Sequence, residues 1–101
     1  PSAVIKQRIE KARAIQRERF KADRIFYNAQ MNTKLIKKYC VLEGEAKELL
    51  KMAMTELGLS ARAYDKILKV SRTIADLTES EGIRPEHISE AIQYRSLDRQ
   101  W

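Results

Sequence analysis

The sequence predicts an all-α fold, a small bundle of four or five helices in a single domain spanning residues 1–101. Three observations predict it. Apolar residues recur at helical spacing through most of the chain, no alternating strand pattern occurs, and only three Gly and two Pro interrupt it. A hydrophobic content of 44% is enough for a folded chain and too high for a disordered one. Residues 1–30 read as a basic linking helix and loop, and residues 31–101 as the bundle proper.

The first segment, "VIKQRIEKARAIQRERF", places apolar residues at Ile5, Ile9, Ala12 and then Ile15 or Phe20, a helical period. Beside that stripe Arg13, Arg17 and Lys21 form an i, i+4 ladder of like charge, which costs a few tenths of a kcal/mol per pair. "KADRIFYNAQMN" breaks the period and reads as a loop with buried aromatics. Asn32 is placed to cap a short helix, "TKLIKKYC", packing through Leu35, Ile36 and Tyr39. In "EGEAKELLKMAMTELG" the residues Ala46, Leu49, Leu50, Ala53, Met54 and Leu57 share a face, with the pair Met52 and Met54 expected in the core. Gly58 suits a left-handed stop.

Ser60 is a natural N-cap for the next helix, which buries Tyr64, Ile67, Leu68, Ser71, Ile74 and Ala75 before "TESEG" ends it. In "IRPEHISEAIQYR", Pro85 takes the first helical position and Glu86 the favourable first turn. Ile83 is set to staple onto Ile88, with Ile88, Ala91 and Ile92 facing inward.

Several function classes are excluded. The chain has no Gly-rich phosphate loop, no paired acidic metal site and no Cys/His cluster. His87, the only histidine, follows Pro85-Glu86 at a helix start, where capping or surface packing accounts for it better than catalysis. Cys40 reads as a small buried hydrophobe, and a lone cysteine points to a reducing compartment. No apolar run approaches the ~20 residues of a membrane span, and the opening "PSAVIKQRIEKAR" is not a signal peptide, so a cytoplasmic location is expected. The chain starts in helical pattern without Met, as an excised fragment would. Nothing assembles a complete active site, so this chain alone is not expected to be an enzyme.

The net charge of +6 is unevenly spread: residues 1–40 carry eleven cations against three carboxylates, +8, leaving −2 for the remainder. A polyanionic neighbour for the N-terminal part follows, with Arg13, Arg17, Lys21, Lys37 and Lys38 as candidate nucleic-acid contacts. No helix-turn-helix recognition pattern accompanies them. Arg62 poses a sharper question. In the first turn after Ser60 it meets the positive end of the helix dipole, a repulsion of about 0.3–1 kcal/mol. On a helical wheel it lies nearly opposite the buried face, with Lys66 and Lys69 on its side. Free helix N–H groups and a forked guanidinium there would make an anion site. Alternatively Arg62 pairs with Asp65 for ~0.2–0.5 kcal/mol, in a plain protein-interaction bundle.

The stretches "GLSARAYDKILKVSRTIADL" and "IRPEHISEAIQYRSLDR", together with "NAQM" and "LLKMAMTELG", resemble the C-terminal domain of magnesium chelatase-related AAA+ ATPases, the ComM-like competence family. The resemblance covers nearly the whole chain. It implies an α-helical lid following an AAA+ core, with Arg62 of "LSARA" at the sensor-2 position and Ser60, Lys66 and Lys69 in support. It also implies ATP and Mg2+ as cofactors of the complete protein rather than of this domain. The implied partners are an upstream AAA+ core, a homo-oligomeric ring such as a hexamer, and DNA, with no membrane. The arginine is expected to act on a neighbouring subunit's nucleotide. ComM-like relatives are associated with branch migration of DNA in natural transformation, and chelatase subunits with magnesium insertion into porphyrin. Walker A, Walker B, sensor 1 and an arginine finger are all missing here, and the resemblance places them upstream, with "LDRQW" near the natural C-terminus.

Overall fold

The computed structural model describes residues 2–98, with side chains as far as Tyr94. Five α-helices follow one another: α1 (Ser2–Arg19), α2 (Thr33–Tyr39), α3 (Gly44–Leu57), α4 (Ala61–Leu77) and α5 (Pro85–Asp98). A single 3-10 turn, Asn28–Gln30, lies between α1 and α2, and no strand occurs among the described residues. The expected all-α bundle is the fold observed. "LDRQW" falls at and beyond the edge of the described residues.

Helix α4 is the central element, packed by α1, α2, α5 and the 3-10 turn, while α3 rests on α5. Its inward face carries Ala63, Ile67, Leu68, Ser71, Ile74 and Ala75, close to the face expected from spacing, with Tyr64 half-buried. Around it close Phe20, Met31, Ile36, Cys40, Ala46, Leu50, Ile83, Ile88 and Ala91. Each large apolar side chain removed from water here contributes roughly 1.5–3 kcal/mol. The helix ends form as their residues dictate. The Asn32 carboxamide accepts from the Leu35 N–H at 2.9 Å. Gly58 takes φ +59° and ends α3, a conformation that costs a side-chain-bearing L-residue about 1–2 kcal/mol.

The core also holds a charge. The Asp76 carboxylate is completely buried and accepts both arms of the Arg19 guanidinium, at 2.7 and 2.8 Å. Asn28 Nδ2 donates to it at 2.8 Å, and Arg72 Nη2 stands 3.3 Å away, one helical turn back. Arg19 also donates to Asn28 Oδ1, while the Asn28 backbone N–H donates to buried Gln16. Arg72 in turn donates to the carbonyls of Ser80 and Glu81, which fastens the α4–α5 loop. One carboxylate therefore ties together α1, the 3-10 turn, α4 and the loop after it.

Four expectations need correction. The proposed α1 stripe does not reach the core at its start: Val4, Ile5 and Ile9 are exposed, and packing begins at Ala12. The reason is that, among the described residues, the start of α1 has no element over its apolar side, whereas Ala12, Gln16 and Phe20 further along are covered. In the following loop Phe26 and Tyr27 are exposed; the buried aromatic is Phe20, whose ring meets Tyr39 edge-on at 5.5 Å. Met52 and Leu57 also face solvent, and only Met54 of the methionine pair packs. The segment read as a linker supplies Ala12, Gln16, Phe20 and Asn28 to the same core.

His87 is buried and not a surface side chain. Its Nδ1 accepts from the Arg84 backbone N–H at 2.9 Å, and Nε2 faces Thr78 Oγ1 at 3.3 Å. The first contact requires an unprotonated Nδ1, so the ring caps α5 in its neutral form.

Two outcomes follow. Asp76→Ala leaves two arginines buried without a counter-charge and should cost about 3–5 kcal/mol in urea unfolding; a loss below about 1 kcal/mol would show that they rehydrate freely. Burial holds the His87 imidazole below its ordinary value of 6.5, helped by Arg72 and Arg84 against Glu86 and Glu90. The unfolded chain then takes up the proton first. The stability of the neutral ring is complete above about pH 6.5 and declines below it as pH falls through the folded-state value. Melting temperature between pH 7.5 and 5.5 should fall further for the native chain than for His87→Asn.

Candidate functional site

The site is built at the mouth of α4. Left-handed Gly58 turns the chain out of α3, and Ser60 follows in an extended conformation, φ −76° and ψ 166°. Its Oγ accepts from the Ala63 N–H at 3.2 Å. This cap satisfies one of the first-turn amides; those of Ala61 and Arg62, at the first two helical positions, have no carbonyl partner within the helix.

Arg62 is exposed. Among the described residues it forms no ion pair, and the Asp65 partner weighed for it from the sequence is not engaged. Its guanidinium heads a groove of about 690 Å³ that follows the outer stripe of α4 through Asp65, Lys66, Lys69 and Thr73. The floor is Val70, Ile74 and Leu77; Glu90 and Tyr94 of α5 form one wall and Arg8 of α1 the other. The structure thus brings Arg62, Lys66 and Lys69 to one surface, with Ser60 capping the helix behind them. Lys69 is partly committed, its Nζ donating to the Ala29 carbonyl at 3.3 Å. Tyr94 donates to Glu90 at 3.0 Å, and that carboxylate raises the phenol's pKa.

The sequence does not single out Arg8 or Tyr94. Arg8 is one of eleven cations in the first 40 residues, and only the packing of α1 across α4 brings it to this groove. An exposed tyrosine four residues after a glutamate on α5 was the available signal for the second.

The five candidate nucleic-acid contacts are less unified. Arg13 and Arg17 are exposed on α1, but the ladder stops there. Lys21 lies past the end of α1 and donates to Glu18 at 2.7 Å, a contact that raises its pKa. Lys37 and Lys38 are exposed on α2, with Lys38 Nζ 5.1 Å from the centre of the Tyr39 ring. Arg13 borders a hollow with Ile9, Tyr27 and Thr73, whereas Lys38 borders a different one with Glu43 and Glu81.

The chemistry available is charge neutralisation. Burial pushes the Cys40 thiol up to about 11, so no thiolate nucleophile forms at neutral pH. Among the described residues no group of three or more His, Cys, Asp or Glu stands together to hold a metal ion, and no helix is long and apolar enough to cross a membrane.

A family model described as magnesium chelatase, subunit ChlI C-terminal, matches residues 1–95. The competence protein ComM of Haemophilus influenzae is 45% identical over 98 residues. Uncharacterised proteins YifB of Escherichia coli and Salmonella typhimurium are 41% and 40% identical over the same length. These alignments take in 97% of the chain but only 18% or 19% of each relative. The chain therefore spans under a fifth of the curated relatives it matches.

If Ser60 holds the mouth of α4 in shape, Ser60→Ala should cost about 0.5–2 kcal/mol of stability, and Ser60→Asp should recover most of it. Urea titration of both variants measures this; equal midpoints for all three proteins would contradict the capping role.

Proposed function

This chain belongs to the magnesium chelatase subunit ChlI C-terminal family, and on that basis we propose that it is the helical lid of an AAA+ ATPase in which Arg62 is the sensor-2 arginine. One observation carries the reading: an exposed guanidinium, without a carboxylate partner, at the capped N-terminus of the central helix. The same chain shows how it treats arginines that serve structure. Arg19 and Arg72 are both drawn onto Asp76. Arg62 is held apart.

The physics favours a phosphate at that point. The fork of a guanidinium matches two phosphate oxygens, and the amides at the start of α4 add donors of the same polarity. A charge placed against the helix dipole, at about 0.3–1 kcal/mol, becomes favourable once an anion lies between them. With no Gly-rich loop in the sequence, this domain would supply a contact to the terminal phosphate and leave ATP and Mg2+ to the AAA+ core of the complete protein. Lys66 and Lys69 would lend background charge along the groove. The nucleotide is that of a neighbouring subunit in a homo-oligomeric ring, so lid movement and hydrolysis are coupled between subunits.

For the client of the complete protein we favour DNA. A relative bears the name competence protein, and the exposed Arg13 and Arg17 on α1 supply a basic face. Branch migration during natural transformation is the activity this reading assigns to the parent.

The test is Arg62→Ala in the full-length protein. ATPase turnover should fall more than about tenfold, as loss of a transition-state charge contact does, with the stability of the domain unchanged. Arg62→Lys should restore little, since an ammonium cannot form the fork. Turnover equal to wild type in Arg62→Ala would remove the assignment.

A further inference from the structure

The hollow that Arg13 shares with Ile9, Tyr27 and Thr73 has a volume of about 340 Å³, at the small end of sites that hold organic ligands. It lies where α1, the 3-10 turn and α4 meet, and none of Arg62, Lys66 and Lys69 borders it. Ile9, Ala12 and Leu77 make it apolar, Tyr27 stands at its side, and Arg13 and Gln16 reach it from α1. No carboxylate among the described residues borders it.

Most polar groups around the hollow are already engaged. Thr73 Oγ1 accepts from Asn28 Nδ2 and donates to the Lys69 carbonyl. Gln16 differs. It is only 5% exposed, and its Oε1 accepts from the Asn28 backbone N–H at 3.0 Å. Because that N–H must meet the oxygen, the carboxamide has one orientation, and its amino end carries two donors. Among the described residues this Nε2 has no hydrogen-bond partner, yet it is not one of the sealed orphans, which are Ser71 Oγ and Arg72 Nε. It opens onto the hollow. Tyr27 is half exposed but held in place: Gln30 Oε1 accepts from the backbone N–H groups of Phe26 and Tyr27 at 2.8 and 3.0 Å, and the next residue, Asn28, is fixed on Asp76. An exposed ring on a fixed loop offers a stacking surface at little entropic cost.

A ligand suited to this hollow has a flat ring to lie on Tyr27, acceptor atoms on the ring edge for Gln16, and a negative charge for Arg13. A nucleotide of a single strand has all three, whereas a base inside a duplex has both faces stacked and its pairing edge occupied. An acidic peptide brings the charge without the acceptor-edged ring. We propose that the hollow receives one unpaired base of single-stranded DNA, its ring on Tyr27, a carbonyl oxygen on Gln16 Nε2 and its phosphate on Arg13. Arg17, exposed one turn further along α1, takes a neighbouring phosphate. This rests on the DNA reading above and adds to it the form of the strand and a contact to the base.

Fluorescence anisotropy of the 101-residue chain at about 50 mM salt tests this with three probes: an oligothymidylate, an abasic deoxyribose-phosphate strand of equal length, and a duplex. The oligothymidylate should bind at least about fivefold tighter than the abasic strand. Tyr27→Ala should erase that margin and Tyr27→Phe keep it. Phe26→Ala, on the same loop but not bordering the hollow, should leave it whole. Gln16→Glu keeps the acceptor for Asn28 but sets an anionic oxygen against the base carbonyl, and should also erase the margin. Arg13→Glu should weaken all three probes, whereas Tyr27→Ala should leave the duplex unaffected. The comparison of strands on the native chain needs no variant, so it holds even if a substitution prevents folding. Equal affinity for the oligothymidylate and the abasic strand, or a margin that survives Tyr27→Ala, would overturn the base site. If the duplex still binds through Arg13 in that case, the DNA reading stands without it; if none of the three probes binds, the base site falls and the DNA reading loses its support on α1.

Discussion

The architecture depends on a single buried carboxylate. Asp76 has no access to solvent, and an ion in that position carries a desolvation penalty of several kcal/mol that only well-placed partners offset. Those partners come from α1 (Arg19), the 3-10 turn (Asn28) and the preceding turn of its own helix (Arg72). Hydrophobic packing would allow α1 to slide or rotate on α4 at modest cost. A bidentate guanidinium would not, because both its bonds have direction. The carboxylate thus converts a loosely specified helix contact into a defined one: α4 is fixed by charge at its C-terminal half and by apolar packing of Ala63, Ile67 and Leu68 at its N-terminal half.

That division organises the charges of the whole molecule. At one end of α4, arginines are consumed internally: Arg19 by Asp76 and Asn28, Arg72 by Asp76 and by two loop carbonyls. At the other end Arg62 has no such obligation, and the first-turn amides beside it share its polarity. The two ends are the same helix made of similar residues, separated by what lies within reach of each guanidinium. Arginine charge is spent on stability where Asp76 is buried, whereas Arg62 at the other end is exposed and forms no ion pair among the described residues.

The legibility of this fold in the sequence follows the same boundary. Helices α3, α4 and α5 were readable because their signals are local: Gly58 after the last turn, Ser60 before the first, Pro85 at N1 and an apolar period of 3.6 between. The outward direction of Arg62 was readable for that reason too. The buried roles of Gln16, Asn28 and Asp76 were not, since each depends on a partner far along the chain; Arg19 and Asp76 are 57 residues apart. Ile5 and Ile9 have the period of a core stripe, but period cannot report whether a second helix is present to cover it. Phe26 and Tyr27 read as inward on composition, whereas the turn that places Asn28 on Asp76 leaves them outside.

Cys40 carries a practical implication. Alkylating reagents and disulfide exchange require a thiolate, and a side chain with little access to water and a pKa near 11 presents almost none at neutral pH. A cysteine introduced at an exposed position on this domain would react while the native one stayed silent. Dyes or spin labels can then be attached at a chosen pair of introduced cysteines with Cys40 left in place, and the distance between the two reports the separation of the helices that carry them.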